Sequence, residues 1–172
     1  MSHPPKHPNI ETINIRQLAE KLVLKARHTN TVIALAESCT GGMIAAALTD
    51  IPGSSAVLDR GFVTYSNDAK IDVLGVSAAC LDTHGAVSQN TALEMVAGTL
   101  AAAPNATLAL SVTGIAGPDG GTAQKPVGLV HFACQSRAKA PLHAVHIFQG
   151  SRHEVRENSL KTALKMLFNE LN

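Results

Sequence analysis

The chain has 172 residues, 45% of them hydrophobic, which suits one globular domain with a sizeable core. Only 3% are aromatic and there is no Trp, so that core must be built from Ala, Val, Leu and Ile. A formal net charge of +1 argues against a nucleic-acid binder, and no apolar run approaches the ~20 residues of a membrane span.

Residues 1–9 lack the apolar centre of a signal peptide and read as a disordered tail. The domain is expected over 10–172. Cys39, Cys80 and Cys134 are odd in number and widely spaced, so neither a disulfide framework nor a zinc site is implied. A reducing cytoplasm is the expected location.

Residues 10–28 carry Ile15, Leu18, Ala19, Leu22, Val23 and Ala26 at helical spacing, a packing helix. Residues 31–35 are short, apolar and β-branched at their start, a buried strand. Then comes Ala36-Glu37-Ser38-Cys39-Thr40-Gly41-Gly42, followed by the helix formers 43–48. Strand, small polar residues, paired glycines and helix place free N–H groups where an anion is welcome. Ser38 and Cys39 are candidate nucleophiles there. The plainer reading is that Ser38 or Thr40 only caps the helix and the glycines only make the turn.

After the turn at 50–55, residues 57–66 read as a strand ending in Tyr65-Ser66-Asn67. Asn67 or Ser66 caps a helix over 68–74, with Lys70 on its first turns and Gly75 at its end. Residues 76–85 read as irregular. A helix over 88–103 follows, with Ser88 as its cap. Residues 107–113 are apolar enough for a central strand. They run into a loop with four glycines in the eight residues 114–121, including Gly114, Gly120 and Gly121. Strands are expected at 126–133 and 142–148, paired antiparallel, and a closing helix at 151–171. Arg152 begins that helix, where a cation opposes the helix dipole unless an anion is near. The alternation makes this an α/β protein: a three-layer α/β/α sandwich with a mixed sheet.

No dinucleotide or Walker fingerprint and no His-Glu-x-x-His is present. His143 and His146 fall on opposite faces of a strand, and His84, His131 and His153 stand isolated. A Ser-His-Asp triad stays open, but no Gly-x-Ser-x-Gly elbow frames Ser38 and no histidine stands out as a base for a hydroxyl nucleophile. Lys70 is the strongest candidate, since burial lowers an amine from about 10.4 toward neutrality.

The opening motif, Pro52-Gly53-Ser54-Ser55, Tyr65-Ser66-Asn67 with Lys70, Gly85-Ala86-Val87-Ser88, the Thr113–Gly121 glycine loop and Lys125-Pro126-Val127-Gly128 occur in this order. Together they resemble the CinA C-terminal domain family, in its nicotinamide-nucleotide amidase group. The resemblance covers about 12–170. It implies deamidation of nicotinamide mononucleotide to nicotinate mononucleotide and ammonia in pyridine-nucleotide salvage, with no metal or cofactor and with homo-oligomers. By resemblance, Ser38 is the nucleophile, Lys70 its base, and Tyr65 and Thr113 assist. Cys39, Thr40, Gly41, Gly42, Asn67, Gly114, Gly120, Gly121 and Arg152 are the expected substrate-binding residues, phosphate and oxyanion being undivided between the two loops. Gly150-Ser151-Arg152 stands where the family often has Gly-Asp-Arg. The N-terminal domain of longer members has no counterpart here, so its pyrophosphatase activity is not expected. Two alternatives remain open: Cys39 as nucleophile, and a nucleotide-binding module without catalysis.

Overall fold

The computed structural model describes residues 14–171. The expected tail, and 10–13 of the first expected helix, lie outside them. Helix α1 (Ile15–His28) starts at Asn14, whose side chain accepts from Gln17 N while Gln17 answers to the Asn14 N–H. Five strands follow: β1 (Ile33–Glu37), β2 (Leu58–Val63), β3 (Leu108–Gly114), β4 (Leu129–Ser136) and β5 (Leu142–Ile147). They form one sheet in the order β2-β1-β3-β4-β5. β1 is parallel to both β2 and β3, whereas β4 and β5 are antiparallel additions. The mixed sheet of the expected sandwich is thus present.

The two faces of the sheet differ in side-chain size, and this sets the layers. In β1, Ile33 and Leu35 point into a core with Leu108, Leu110, Val112 and Phe132, covered by α1, α2 (Met43–Thr49) and α6 (Arg152–Glu170). Burying each large aliphatic side chain here contributes about 1.5–3 kcal/mol. Ala34, Ala109 and Ala133 point to the other face, against Ala92, Val96 and Leu100 of α5 (Gln89–Ala102). These alanines have no bulk to hold α5 off, and Ser111 Oγ donates to Ala92 O at 2.7 Å. Ala36 continues this face toward Leu74 and Met95.

Helices α3 (Asn67–Leu74) and α4 (Ala78–His84) complete the α5 layer. The stretch expected to be irregular is therefore helical: Ser77 Oγ accepts from Cys80 N and starts α4 in a segment too short for clear periodicity. Ser66 and Ser88 cap α3 and α5 through Ala69 N and Thr91 N. β4 begins three residues later than expected, because Pro126 O accepts from Leu129 N and Gly128 takes φ +91° in a turn. Among the described residues, no helix is long and apolar enough to cross a membrane.

β1 and β3 lie side by side and parallel, and their connections leave toward opposite edges. Open α/β sheets bind ligands at such a switch point, beyond the carboxyl ends of the strands. The turn after β1, the segment after β2 and the glycine loop after β3 all meet there.

Candidate active site

Ser38 follows β1 directly, its N–H donating to Val112 O at 3.0 Å on the neighbouring strand. The serine is thus fixed to the sheet before the chain turns into α2. Neither Ser38 nor Thr40 caps that helix. Its cap is Gly42 in the left-handed region (φ +97°), and the acceptor is the Glu37 carboxylate. Oε2 of Glu37 takes the N–H groups of Gly42 at 2.9 Å and Ile44 at 3.1 Å, and Oε1 takes Ala45 at 2.9 Å. The helix end expected to receive an anion already holds one of the chain's own.

Lys70 is 1% exposed. Its Nζ lies 3.1 Å from Ser38 Oγ, 2.9 Å from Thr64 O and 3.2 Å from Tyr65 O. A neutral amine has two N–H donors and one lone pair. Two carbonyls, which can only accept, and one hydroxyl, which can donate, suit that form, and the three donors of an ammonium suit the same three oxygens. Burial holds the Lys70 amine below its ordinary value of 10.5, with the Cys39 side chain acting weakly the other way. Burial thus moves the amine toward its uncharged form, the form able to take the serine proton.

Cys39, next to the serine, is 5% exposed. Its thiol is pushed up to about 12, chiefly by burial. Among the described residues its own N–H meets only the Cys39 sulfur and donates to no other residue, and that of Thr40 has no acceptor. Ser38 O, by contrast, accepts from Gly41 N at 3.1 Å and Thr40 O from Met43 N at 3.3 Å.

A pocket of about 260 Å³ opens over this pair. Of the expected site residues it is lined by Ser38, Cys39, Tyr65, Lys70, Thr113, Gly114, Gly120 and Arg152. Thr40, Gly41, Gly42, Asn67 and Gly121 do not line it. Thr40 is fully buried, with its Oγ1 unpartnered, and Asn67 is exposed on the first turn of α3. Thr113 donates its hydroxyl proton to Ala86 O at 2.8 Å, tying the Gly85–Ser88 segment to the end of β3. Tyr65 sends only its carbonyl to Lys70; the residue is 60% exposed and its phenol oxygen accepts from Arg152 Nη2 at 3.1 Å.

Arg152 also donates from Nη1 to Gly117 O at 2.7 Å, so it spans the pocket mouth between Tyr65 and the glycine loop. Ser151 keeps the cap that the helix needs: its Oγ accepts from Glu154 N, and Glu154 answers in a capping box.

Some participants carried no role in the sequence reading. Glu37 stood inside the motif, and a carboxylate just before paired glycines and a helix was the available signal. Arg156, one turn beyond Arg152, donates from Nε to Cys39 O at 3.1 Å and from Nη2 to Thr40 O at 2.9 Å. Its i, i+4 spacing from Arg152 was the only trace. Asp119 lines the pocket from the glycine loop. His131 is not isolated: its Nδ1 lies 3.0 Å from His143 Nε2 across the β4–β5 pair, while His146 stacks on Phe148 on the opposite face. Among the described residues, no three His, Cys, Asp or Glu side chains converge on one point as metal ligands would.

Comparison with known proteins fits this arrangement. The family model for the CinA C-terminal domain matches residues 15–171. A protein of Enterobacter agglomerans named nicotinamide-nucleotide amidohydrolase PncC is 54% identical over 137 residues, covering 77% of this chain and 83% of its own. The Escherichia coli K12 protein of the same name is 46% identical over 158 residues, covering 91% and 94%. A CinA-like protein of Shewanella sp. strain ANA-3 is 47% identical over 154 residues, yet the match takes in only 36% of that longer protein. The crystal structure of competence/damage inducible protein CihA from Agrobacterium tumefaciens superposes with a TM-score of 0.88 at 48% identity, covering 100% of this chain and 99% of its own.

Proposed function

The chain belongs to the CinA C-terminal domain family, and from that premise we propose that it is an amidohydrolase converting nicotinamide mononucleotide to nicotinate mononucleotide and ammonia, a step of pyridine-nucleotide salvage. The observation that carries the mechanism is the 3.1 Å approach of Lys70 Nζ to Ser38 Oγ at the floor of the pocket. Two relatives that align along more than four-fifths of their own length bear the name of this activity.

Amide hydrolysis needs an activated nucleophile, a donor for the oxyanion and a proton for the departing nitrogen. Ser38 Oγ attacks the carboxamide carbon while its proton passes to neutral Lys70. The carbonyl π electrons move to oxygen, and the Cys39 N–H receives that charge. Collapse re-forms the carbonyl and breaks the C–N bond, with the Lys70 ammonium giving its proton to the nitrogen, so ammonia leaves. The ester on Ser38 is then attacked by water, whose proton goes to Lys70. Cleavage of the C–Oγ bond returns that proton to Ser38 and frees the carboxylic acid, which gives its own proton to solvent and leaves as the carboxylate. Thr64 O and Tyr65 O hold Nζ in register throughout. Arg152 supplies the cation for the phosphate at the pocket mouth, a division of labour that leaves the oxyanion to the turn after β1.

A Cys39 nucleophile has no chemical advantage here: a buried thiol near 12 is not a thiolate at neutral pH. The test is ammonia release from nicotinamide mononucleotide. The wild type should release it and folded Ser38→Ala should not. Near-normal turnover in that variant would refute the role of Ser38. Binding of the nucleotide by the wild type without ammonia would favour a non-catalytic module.

A further inference from the structure

Arg156 stands outside the pocket lining, on the far side of the turn that carries Ser38. Its guanidinium spends two donors on that turn, Nε on Cys39 O and Nη2 on Thr40 O. In a trans peptide the C=O of one residue and the N–H of the next point in opposite directions. Fixing Thr40 O therefore fixes the Gly41 N–H, which donates to Ser38 O at 3.1 Å. Fixing Ser38 O in turn fixes the Cys39 N–H, which donates to no other residue among those described. The line runs from a cation, through two peptide groups, to the donor beside the Ser38 hydroxyl.

We propose that Arg156 is a positioning residue for the hydrolytic step, aligning and polarising the Cys39 N–H as oxyanion donor through the Thr40–Gly41 and Ser38–Cys39 peptides. Hydrogen bonds in series strengthen one another, and a cation at the acceptor end of such a chain makes the terminal N–H a better donor. The geometry also requires a fork. Two adjacent carbonyls are held from two nitrogens of one rigid plane, which an ammonium cannot reproduce. Glu37 holds the other end of the turn, through Gly42, Ile44 and Ala45. The turn is thus clamped between an anion on β1 and a cation on α6.

This inference rests on Ser38 as nucleophile, so its test keeps the two apart. The readouts are steady-state ammonia release from nicotinamide mononucleotide and the burst of p-nitrophenolate when p-nitrophenyl acetate acylates the serine, the latter needing no assumption about the natural substrate. Removal of a whole oxyanion donor costs about 10²–10³-fold in kcat, so weakening one should cost about 10–100-fold. Arg156→Lys and Arg156→Gln should both lose about that much in kcat and in burst rate. KM should stay within about threefold, and the acidic limb set by Lys70 should not move. Thermal melting and circular dichroism identify the folded variants, and Arg156→Lys, which keeps the charge and most of the packing, is the one read if Arg156→Gln does not fold. Folded Arg156→Lys with wild-type kcat and burst rate would overturn the proposal, as would a loss confined to KM. A wild type that shows the burst but releases no ammonia would sink the substrate reading and leave the relay testable. No burst and no ammonia from the wild type would sink both.

Discussion

Lys70 Nζ lies 3.1 Å from Ser38 Oγ, although the two residues sit on different elements that the sheet must bring together. Among the described residues the amine has no carboxylate partner, and it gives its remaining directions to two carbonyls. Its value is lowered by burial, so kcat/KM should rise with pH through a limb lying below lysine's ordinary 10.5. Lys70→Met should lose about 10²–10⁴-fold, the usual worth of a general base, and the limb should vanish with it. A pH–rate profile checks both; a limb that survives in the variant belongs to another group.

The same burial has a signature in stability. The unfolded chain binds the Lys70 proton up to about pH 10.4, whereas the folded chain gives it up at lower pH. Between those two values the unfolded state holds more protons, so stability must rise with pH across that window. Below it the cost of burying the amine is present in full. Urea titrations at a series of pH values should show this rise in the wild type, and Lys70→Met should be flatter over the same range. Parallel curves would mean that the amine keeps its proton in the folded state.

Cys39→Ala should retain kcat within about threefold. The thiol is held near 12 by burial and so supplies no anion at neutral pH, and its place in the core makes packing its main contribution. Loss of a few sulfur contacts should cost about 1 kcal/mol of stability at most. Ammonia release by the folded variant decides. A collapse of turnover matching that of Ser38→Ala would transfer the nucleophile's role to sulfur.

The layers and the order of the elements were legible because each rests on a local signal, whereas most strand ends fall one to three residues away from where the sequence places them. The short apolar run 31–35, β-branched at its start, marks a buried strand, which runs on to Glu37, and the serine caps mark α3 and α5. The pairing of Ser38 with Lys70 was legible only as chemistry: a hydroxyl needed a base and no histidine stood out. Its distance is a tertiary fact. Glu37 was hidden for a different reason. An acid beside a nucleophile reads as a catalytic group, and only its place ahead of the paired glycines and a helix hints that its oxygens are spent on three N–H groups at the start of that helix. Arg156 was hidden because its partners are carbonyls, which every residue has. α4 was missed because seven residues give too few turns for a period to show.

Glu37→Gln should therefore destabilise the fold rather than merely retune the site. Gln has one acceptor oxygen where the carboxylate has two, and its amide nitrogen would face an N–H. One buried donor left unsatisfied costs about 1–3 kcal/mol. At about 2–4 °C per kcal/mol for a chain of this length, the melting temperature should fall by about 2–12 °C. Calorimetry measures it, and an unchanged melting temperature would show that the turn finds other acceptors.

Arg152 differs from Arg156 in facing the pocket, and the two should separate kinetically. A charge-assisted contact to a phosphate is worth about 1.5–3 kcal/mol, equivalent to about 10–150-fold in binding. Arg152→Ala should raise KM for nicotinamide mononucleotide by about that factor while kcat changes little. On nicotinamide riboside, which lacks the phosphate, wild type and variant should differ far less. The loss of its bonds to Tyr65 Oη and Gly117 O loosens the pocket mouth in both cases, so the riboside serves as the internal control. If Arg152→Ala impairs both substrates equally, the arginine holds Tyr65 and the glycine loop together and the phosphate is bound elsewhere.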